Sequence, residues 1–142
     1  MSITLEVANK IVDAALAKGR EAKMNPLTVC VVDDGGNLKA LKREDGRGAA
    51  MRPQIAIGKA FASVGMGRST RALQDMAQQR PWFSASLVSV ASGGYVPVPG
   101  GVLILDNNGE VLGAVGVTGD TADNDEVAAV AGIEAAGLKT QV

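Results

Sequence analysis

Lys59 sits in a stretch of small and apolar neighbours, Ile55-Ala56-Ile57-Gly58-Lys59-Ala60. If Ile55 and Ala62 face inward, its ammonium lies on or beside a buried face. There it must be paired, and it can act as a base, a Schiff-base former or an anion anchor. A lysine that snorkels to water is the other reading of the same pattern. Arg52, earlier on the same segment, carries a planar fork that suits a carboxylate. A second group stands at Gly116-Val117-Thr118-Gly119-Asp120-Thr121, which runs into Asp123-Asn124-Asp125-Glu126. A strand, a Gly-Thr turn and a helix start together converge backbone N–H groups on an anion or carboxylate, and the hydroxyls of Thr118 and Thr121 add donors. A tight turn capped by Asp120 or Thr121 needs the same residues. If the chain is an enzyme, Lys59 or Asp125 is the base, and the glycine-rich N–H groups stabilise developing negative charge.

Asp120, Asp123, Asp125 and Glu126 also put several carboxylates close together, as a hard cation would require. Their spacing is not that of an EF-hand loop, and acidic residues at a helix start follow from the macrodipole alone. No metal is assigned. Met51, Met66, Met76 and Tyr95 are of types that can ligate haem iron, although isolated methionines more often fill core gaps. Pro81-Trp82-Phe83 is the aromatic cluster, expected at a core edge or a subunit contact.

The sequence contains no histidine. Ser-His-Asp hydrolysis, Cys-His catalysis, histidine-ligated zinc and histidine-ligated haem are therefore closed to it. Acid–base chemistry must use Asp, Glu, Lys, Tyr or water. The single cysteine, Cys30, lies in the apolar run Val29–Val32 and reads as a buried small hydrophobe.

The elements that must position these groups are legible in outline. A chain of 142 residues with 46% hydrophobic content fits one compact domain over 1–142. The net charge of −1 with interspersed signs argues against nucleic-acid and membrane partners. The N-terminus carries no secretory pattern, so a cytoplasmic location is expected. Residues 5–23 have one apolar stripe, with Thr4 as N-cap. Residues 27–33 and 38–43 read as strands around an Asp-Gly-Gly-Asn turn. A helix follows from Arg52 or Pro53 to about Gly65, then a short helix capped by Ser69 or Thr70 and closed by Pro81. Residues 86–91, 102–105 and 111–117 read as three more strands, with a type I′ turn expected at Asn107-Asn108-Gly109. A final helix is expected over 123–138. The result is an α+β domain with a five-stranded, mostly antiparallel sheet flanked by helices.

Val31-Val-Asp-Asp-Gly-Gly-Asn-Leu38, Ile55-Ala-Ile-Gly-Lys-Ala60, Gly100-Gly101 and Gly113-Ala-Val-Gly-Val-Thr-Gly through Asp125-Glu126, in this order, resemble the GlcG/HbpS-like family of haem-degrading or haem-binding domains. That family includes the C-terminal domain of PduO-type proteins. The resemblance implies a profilin-like or PAS-like sandwich, even-numbered homo-oligomers and a small-molecule ligand, with haem or another tetrapyrrole as the candidate cofactor. It implies that Lys59, Gly100, Gly101, Thr118, Thr121, Asp125 and Glu126 line a site or are structurally required. Arg52, Tyr95, Asp120 and Asn124 complete the expected ligand-binding set. Members commonly carry histidine after the early Gly-Gly pair, where this chain has Asn37. Two functions stay open: a binding protein accessory to a catabolic pathway, or a cofactor-independent isomerase, hydratase or lyase acting on a small carboxylate.

Overall fold

A computed structural model describes the whole chain, Met1–Val142. Helix α1 (Leu5–Glu21) starts where Thr4 accepts the Val7 N–H, and it buries Ala8, Ile11, Val12 and Ala15 along one stripe. Strands β1 (Thr28–Asp33) and β2 (Leu38–Arg43) form a hairpin. Helices α2 (Arg52–Met66), α3 (Thr70–Gln79) and α4 (Pro81–Val90) come next. Strands β3 (Gly101–Leu105) and β4 (Val111–Thr118), helix α5 (Ala122–Ala135) and strand β5 (Lys139–Gln141) complete the order.

All pairings in the five-stranded sheet are antiparallel, in the order β2-β1-β4-β3-β5. Helices α1 and α5 cover one face, over Val29, Val31, Val102, Ile104, Val115 and Val117. Helix α2 covers the other, over Cys30, Val32, Leu103 and Ala114. Because both faces are covered, β1 and β4 are apolar almost throughout rather than alternating. Contact between α2 and β4 is close: a Cβ on Gly116 would stand 1.9 Å from the Ala56 carbonyl oxygen.

Four expectations are corrected. Residues 86–91 are not a strand; 86–90 belong to α4 and Ala91 is its C-cap. Their β-branched residues suggested a strand, yet Pro81 starts a helix there, and Leu87 and Ala91, one turn apart, pack on the cluster of Ala62, Leu73 and Tyr95. The fifth strand is instead β5, which pairs with β3. It exists because α5 stops at Ala135, short of the expected Leu138, and the chain reverses through Gly137 at φ +75°.

The 106–110 turn is not type I′, since of its residues only Gly109 has positive φ. Asp106 Oδ1 accepts the N–H groups of Asn108 and Glu110, and the Asp106 carbonyl accepts the Gly109 N–H. Asp33 builds the same turn in the first hairpin, accepting from Gly35 and Asn37 with Gly36 at φ +82°. Finally, neither Ser69 nor Thr70 caps α3 with its side chain. Their hydroxyls bond β3 instead: Ser69 Oγ accepts the Leu103 N–H, and Thr70 Oγ1 accepts the Gly101 N–H while donating to the Gly101 carbonyl.

Candidate functional site

Helix α2 crosses the sheet at the end where β4 runs into α5, and this crossing aims Lys59 at the glycine-rich segments. The Lys59 side chain is 3% exposed and that of Asp125 is 2% exposed. Lys59 Nζ donates to the carbonyl oxygens of Pro99 (3.0 Å) and Val117 (2.9 Å) and to Asp125 Oδ2 (3.2 Å). An ammonium has three protons, so each has a partner. Burial pulls the Lys59 pKa down and pushes that of Asp125 up, while the charge of each partly restores the other.

Gly100, at φ +129°, is where the chain passes this ammonium; a Cβ there would meet the Val117 carbonyl at 2.4 Å and Lys59 Nζ at 2.8 Å. Gly101 is equally confined, against the Lys59 carbonyl and Thr70. The structure thus brings Lys59, Gly100, Gly101, Thr118 and Asp125 to one end of the sheet.

The cradle of N–H groups at the turn already holds a carboxylate from its own chain. The Asp120 N–H donates to Asp125 Oδ1 at 2.9 Å. Thr121 is the N-cap of α5 and accepts the Asn124 N–H. Asp120 accepts the Asn25 N–H and the Asn124 side-chain amide, and these bonds, the Asn124 amide foremost, lower its pKa. Glu126 accepts from Arg71 Nε at both oxygens (3.1 and 2.9 Å), and Asp123 accepts from Arg71 Nη2 at 2.6 Å. Asp123 and Glu126 thus share Arg71, Asp125 faces Lys59 and Asp120 faces Asn25 and Asn124, and no three acidic or cysteine side chains converge as a metal would need.

Arg71 was not singled out by the sequence, although it ties α3 to the start of α5. Its partners lie 52 and 55 residues away, beyond the reach of any local pattern.

Arg52 and Tyr95 lie apart from this cluster. Arg52 donates to the carbonyls of Pro26 and Arg47 and so anchors the loop before α2. Tyr95 belongs to the small core of Ala62 and Leu73 under α3 and α4. Burial raises its pKa, and the hydroxyl has no hydrogen-bond partner. Met51 is 71% exposed, whereas Met66 and Met76 are half-buried. Trp82 is 71% exposed, so it does not close a core edge.

Two cavities flank this second region. One, of about 200 Å³, is lined by Phe61, Leu87, Val90 and Tyr95 among others. The other, of about 590 Å³, lies along α3 and the start of α4. The larger falls within the range of about 300–1,000 Å³ typical of sites for organic ligands.

The model of the haem-degrading protein HbpS-like family matches residues 3–134. The chain belongs to the HbpS-like family. An uncharacterised 15.0 kDa protein of Citrobacter freundii, from the dhaT-dhaS intergenic region, is 32% identical over 128 residues, covering 90% of this chain and 87% of that protein. The structure of a double mutant of Streptomyces reticuli HbpS superposes with a TM-score of 0.81 at 30% identity, over 94% of this chain and 86% of its own. The PduOC–haem complex has the same fold, with a TM-score of 0.86 at 22% identity over the full length of both chains. The α+β architecture with an antiparallel five-stranded sheet is thus that of the HbpS-like family. No helix is long and apolar enough to cross a membrane.

Proposed function

We propose that this HbpS-like protein binds haem or a related tetrapyrrole without a histidine ligand, as an accessory to a catabolic pathway. The family match over 3–134 carries the reading. The residues present fit such a group in a particular way. With no histidine in the chain, the iron-ligating types left outside the core are thioethers. Cys30 is fully buried, and the Tyr95 oxygen is enclosed. The half-buried Met66 and Met76 border a cavity of adequate size. When bound, the macrocycle would supply an iron centre and a large planar apolar surface; the chain would supply apolar walls, cationic groups and shape.

The opposing reading, an enzyme with Lys59 or Asp125 as base, has less support: Asp125 is as enclosed as Lys59 and accepts from it and from the Asp120 N–H. An ammonium bonded to two carbonyls and a carboxylate has no proton-free lone pair to offer and no open path to a substrate.

Titration with ferric haem, followed by absorbance, tests the proposal. A saturable Soret shift at about one haem per chain is expected, and a spectrum identical to that of haem in buffer would overturn it.

Self-association is part of the proposal, with α4 as the contact rather than α5. The small residues of α5 that suggested an interface are used inside the chain: Ala128, Ala129 and Gly132 are buried, and a Cβ on Gly132 would meet the Ile11 carbonyl of α1 at 2.6 Å. Helix α4 bears no charged residue and exposes Trp82 and Val90. Light scattering should give an even-numbered oligomer that Trp82→Glu weakens; a strict monomer at micromolar concentration refutes this part.

A further inference from the structure

Three helices meet around the larger cavity. The last turn of α2 ends at Gly67, and a Schellman-type pair of bonds (Gly67 N–H to Val64, Arg68 N–H to Ser63) turns the chain so that Arg68 enters the lining. Helix α3 supplies Asp75 and Met76, which lie on one face with Ala72 and Gln79 while Leu73 is buried. The junction of α3 and α4 supplies Arg80 and Phe83, with the Arg80 guanidinium 4.5 Å from the centre of the Phe83 ring.

Of the two guanidinium groups, neither has a carboxylate within ion-pair distance or a hydrogen bond to a carbonyl, unlike Arg20, Arg52 and Arg71. Asp75 is the one carboxylate in the lining, so the groove is net cationic. Met66 also walls the apolar cavity of about 200 Å³ on the other side, so a cationic groove and an apolar pocket adjoin across one thioether.

A cationic groove with two unpaired arginines, two thioethers and an aromatic ring matches a ligand with a broad apolar face and more than one carboxylate. We propose that Arg68 and Arg80 recognise the carboxylates of the tetrapyrrole in this groove, with its apolar face against Met66, Met76 and Phe83. The inference rests on the haem-binding reading above and adds the site and its selectivity. Arginine suits the task because its fork bonds a carboxylate through two parallel N–H groups.

The test compares ferric haem with its dimethyl ester, which has the same ring and no free carboxylate, on the wild-type chain and on an Arg68→Met/Arg80→Met variant whose folding is checked by circular dichroism. The wild type is expected to bind haem at least tenfold more tightly than the ester, and the variant to bind both with the weaker affinity. A wild type that binds haem with no preference over the ester, or a variant that keeps the preference, overturns the site while leaving haem binding intact. A wild type that binds neither overturns the haem reading itself. Ala72→Trp, which fills the groove without changing charge, should weaken haem and ester alike. Unchanged affinity for both would also overturn the site.

Discussion

Lys59 Nζ lies 3.2 Å from Asp125 Oδ2, with both side chains almost wholly shielded from solvent. The pair and its carbonyl partners join four parts of the fold: the middle of α2, the segment before β3, the end of β4 and the first turn of α5. A buried ion pair is not a large stabiliser relative to a well-packed apolar pair, because desolvation offsets the attraction. It is costly to break, since one uncompensated charge is then left in a low-dielectric interior.

Lys59→Met or Asp125→Leu alone should therefore lower unfolding stability by about 3–5 kcal/mol. The Lys59→Met/Asp125→Leu double variant should lose much less than the sum, because no lone charge remains. Urea denaturation of the four proteins measures this, and additive losses would mean the two residues are not coupled.

Gly116→Ala and Gly65→Ala should act in opposite directions. At Gly116 the new methyl would overlap the Ala56 carbonyl, and α2 would have to move off β4. A loss of about 3 kcal/mol, the upper end for overpacking, is expected. At Gly65, within α2, nothing lies within 4 Å of the added carbon, and a helix-interior alanine should raise stability by about 0.5–1 kcal/mol. Thermal melts of both variants check the pair.

The Cys30 thiol should be inert in the folded protein. It is fully buried under α2, and burial pushes its pKa up to about 12. A thiol-specific chromogenic reagent at pH 8 should label the native chain only at the rate of unfolding, and label it stoichiometrically in denaturant. Rapid labelling of the native state would contradict this packing.

Asp120 should make part of the stability depend on pH. Its folded-state pKa lies below the ordinary value of 3.8, through the bonds from Asn124 and Asn25. The unfolded chain thus takes up the proton first as pH falls, so the contribution is fully present above the ordinary value and is lost as pH falls through the lowered one. The melting temperature of wild type should exceed that of Asp120→Ala by a margin that is constant from pH 7 to 5 and shrinks below pH ~4. A margin unchanged down to pH 2.5 would show that the carboxylate charge contributes nothing.

Much of the fold was legible because its signals are local. The stripe and Thr4 cap of α1, Pro53 at the start of α2 and the places of the two hairpin turns need only residues within about five positions of one another. The form of the 106–110 turn was missed although Asp106 sets it locally; the other failures were decided at a distance. Ser86–Ala91 has the β-branched residues of a strand, but α4 is held as a helix by Leu87 and Ala91 packing on the Leu73 and Tyr95 core. Strand β5 spans three residues with no apolar alternation and exists because β3 offers a free edge. Ser69 and Thr70 looked like caps, yet backbone groups of β3 and β5 claim both hydroxyls.

The sequence by itself determined the chemistry open to this protein: no histidine, one cysteine in an apolar run, near-neutral charge and a glycine-rich final third with the HbpS-like order of motifs. It also marked Lys59, Gly100, Gly101 and Asp125 as residues that matter. Tertiary structure alone decided which of their polar groups are free. The carbonyls and carboxylate that occupy Lys59 come from 40, 58 and 66 residues away, and the Asp120 N–H is taken by the carboxylate of Asp125. Partners so distant leave no local pattern, because only the crossing of α2 over β4 brings them together. That crossing turns the apparent ligand cradle into an internal joint and leaves Arg68 and Arg80 as the unpaired cations of the largest cavity.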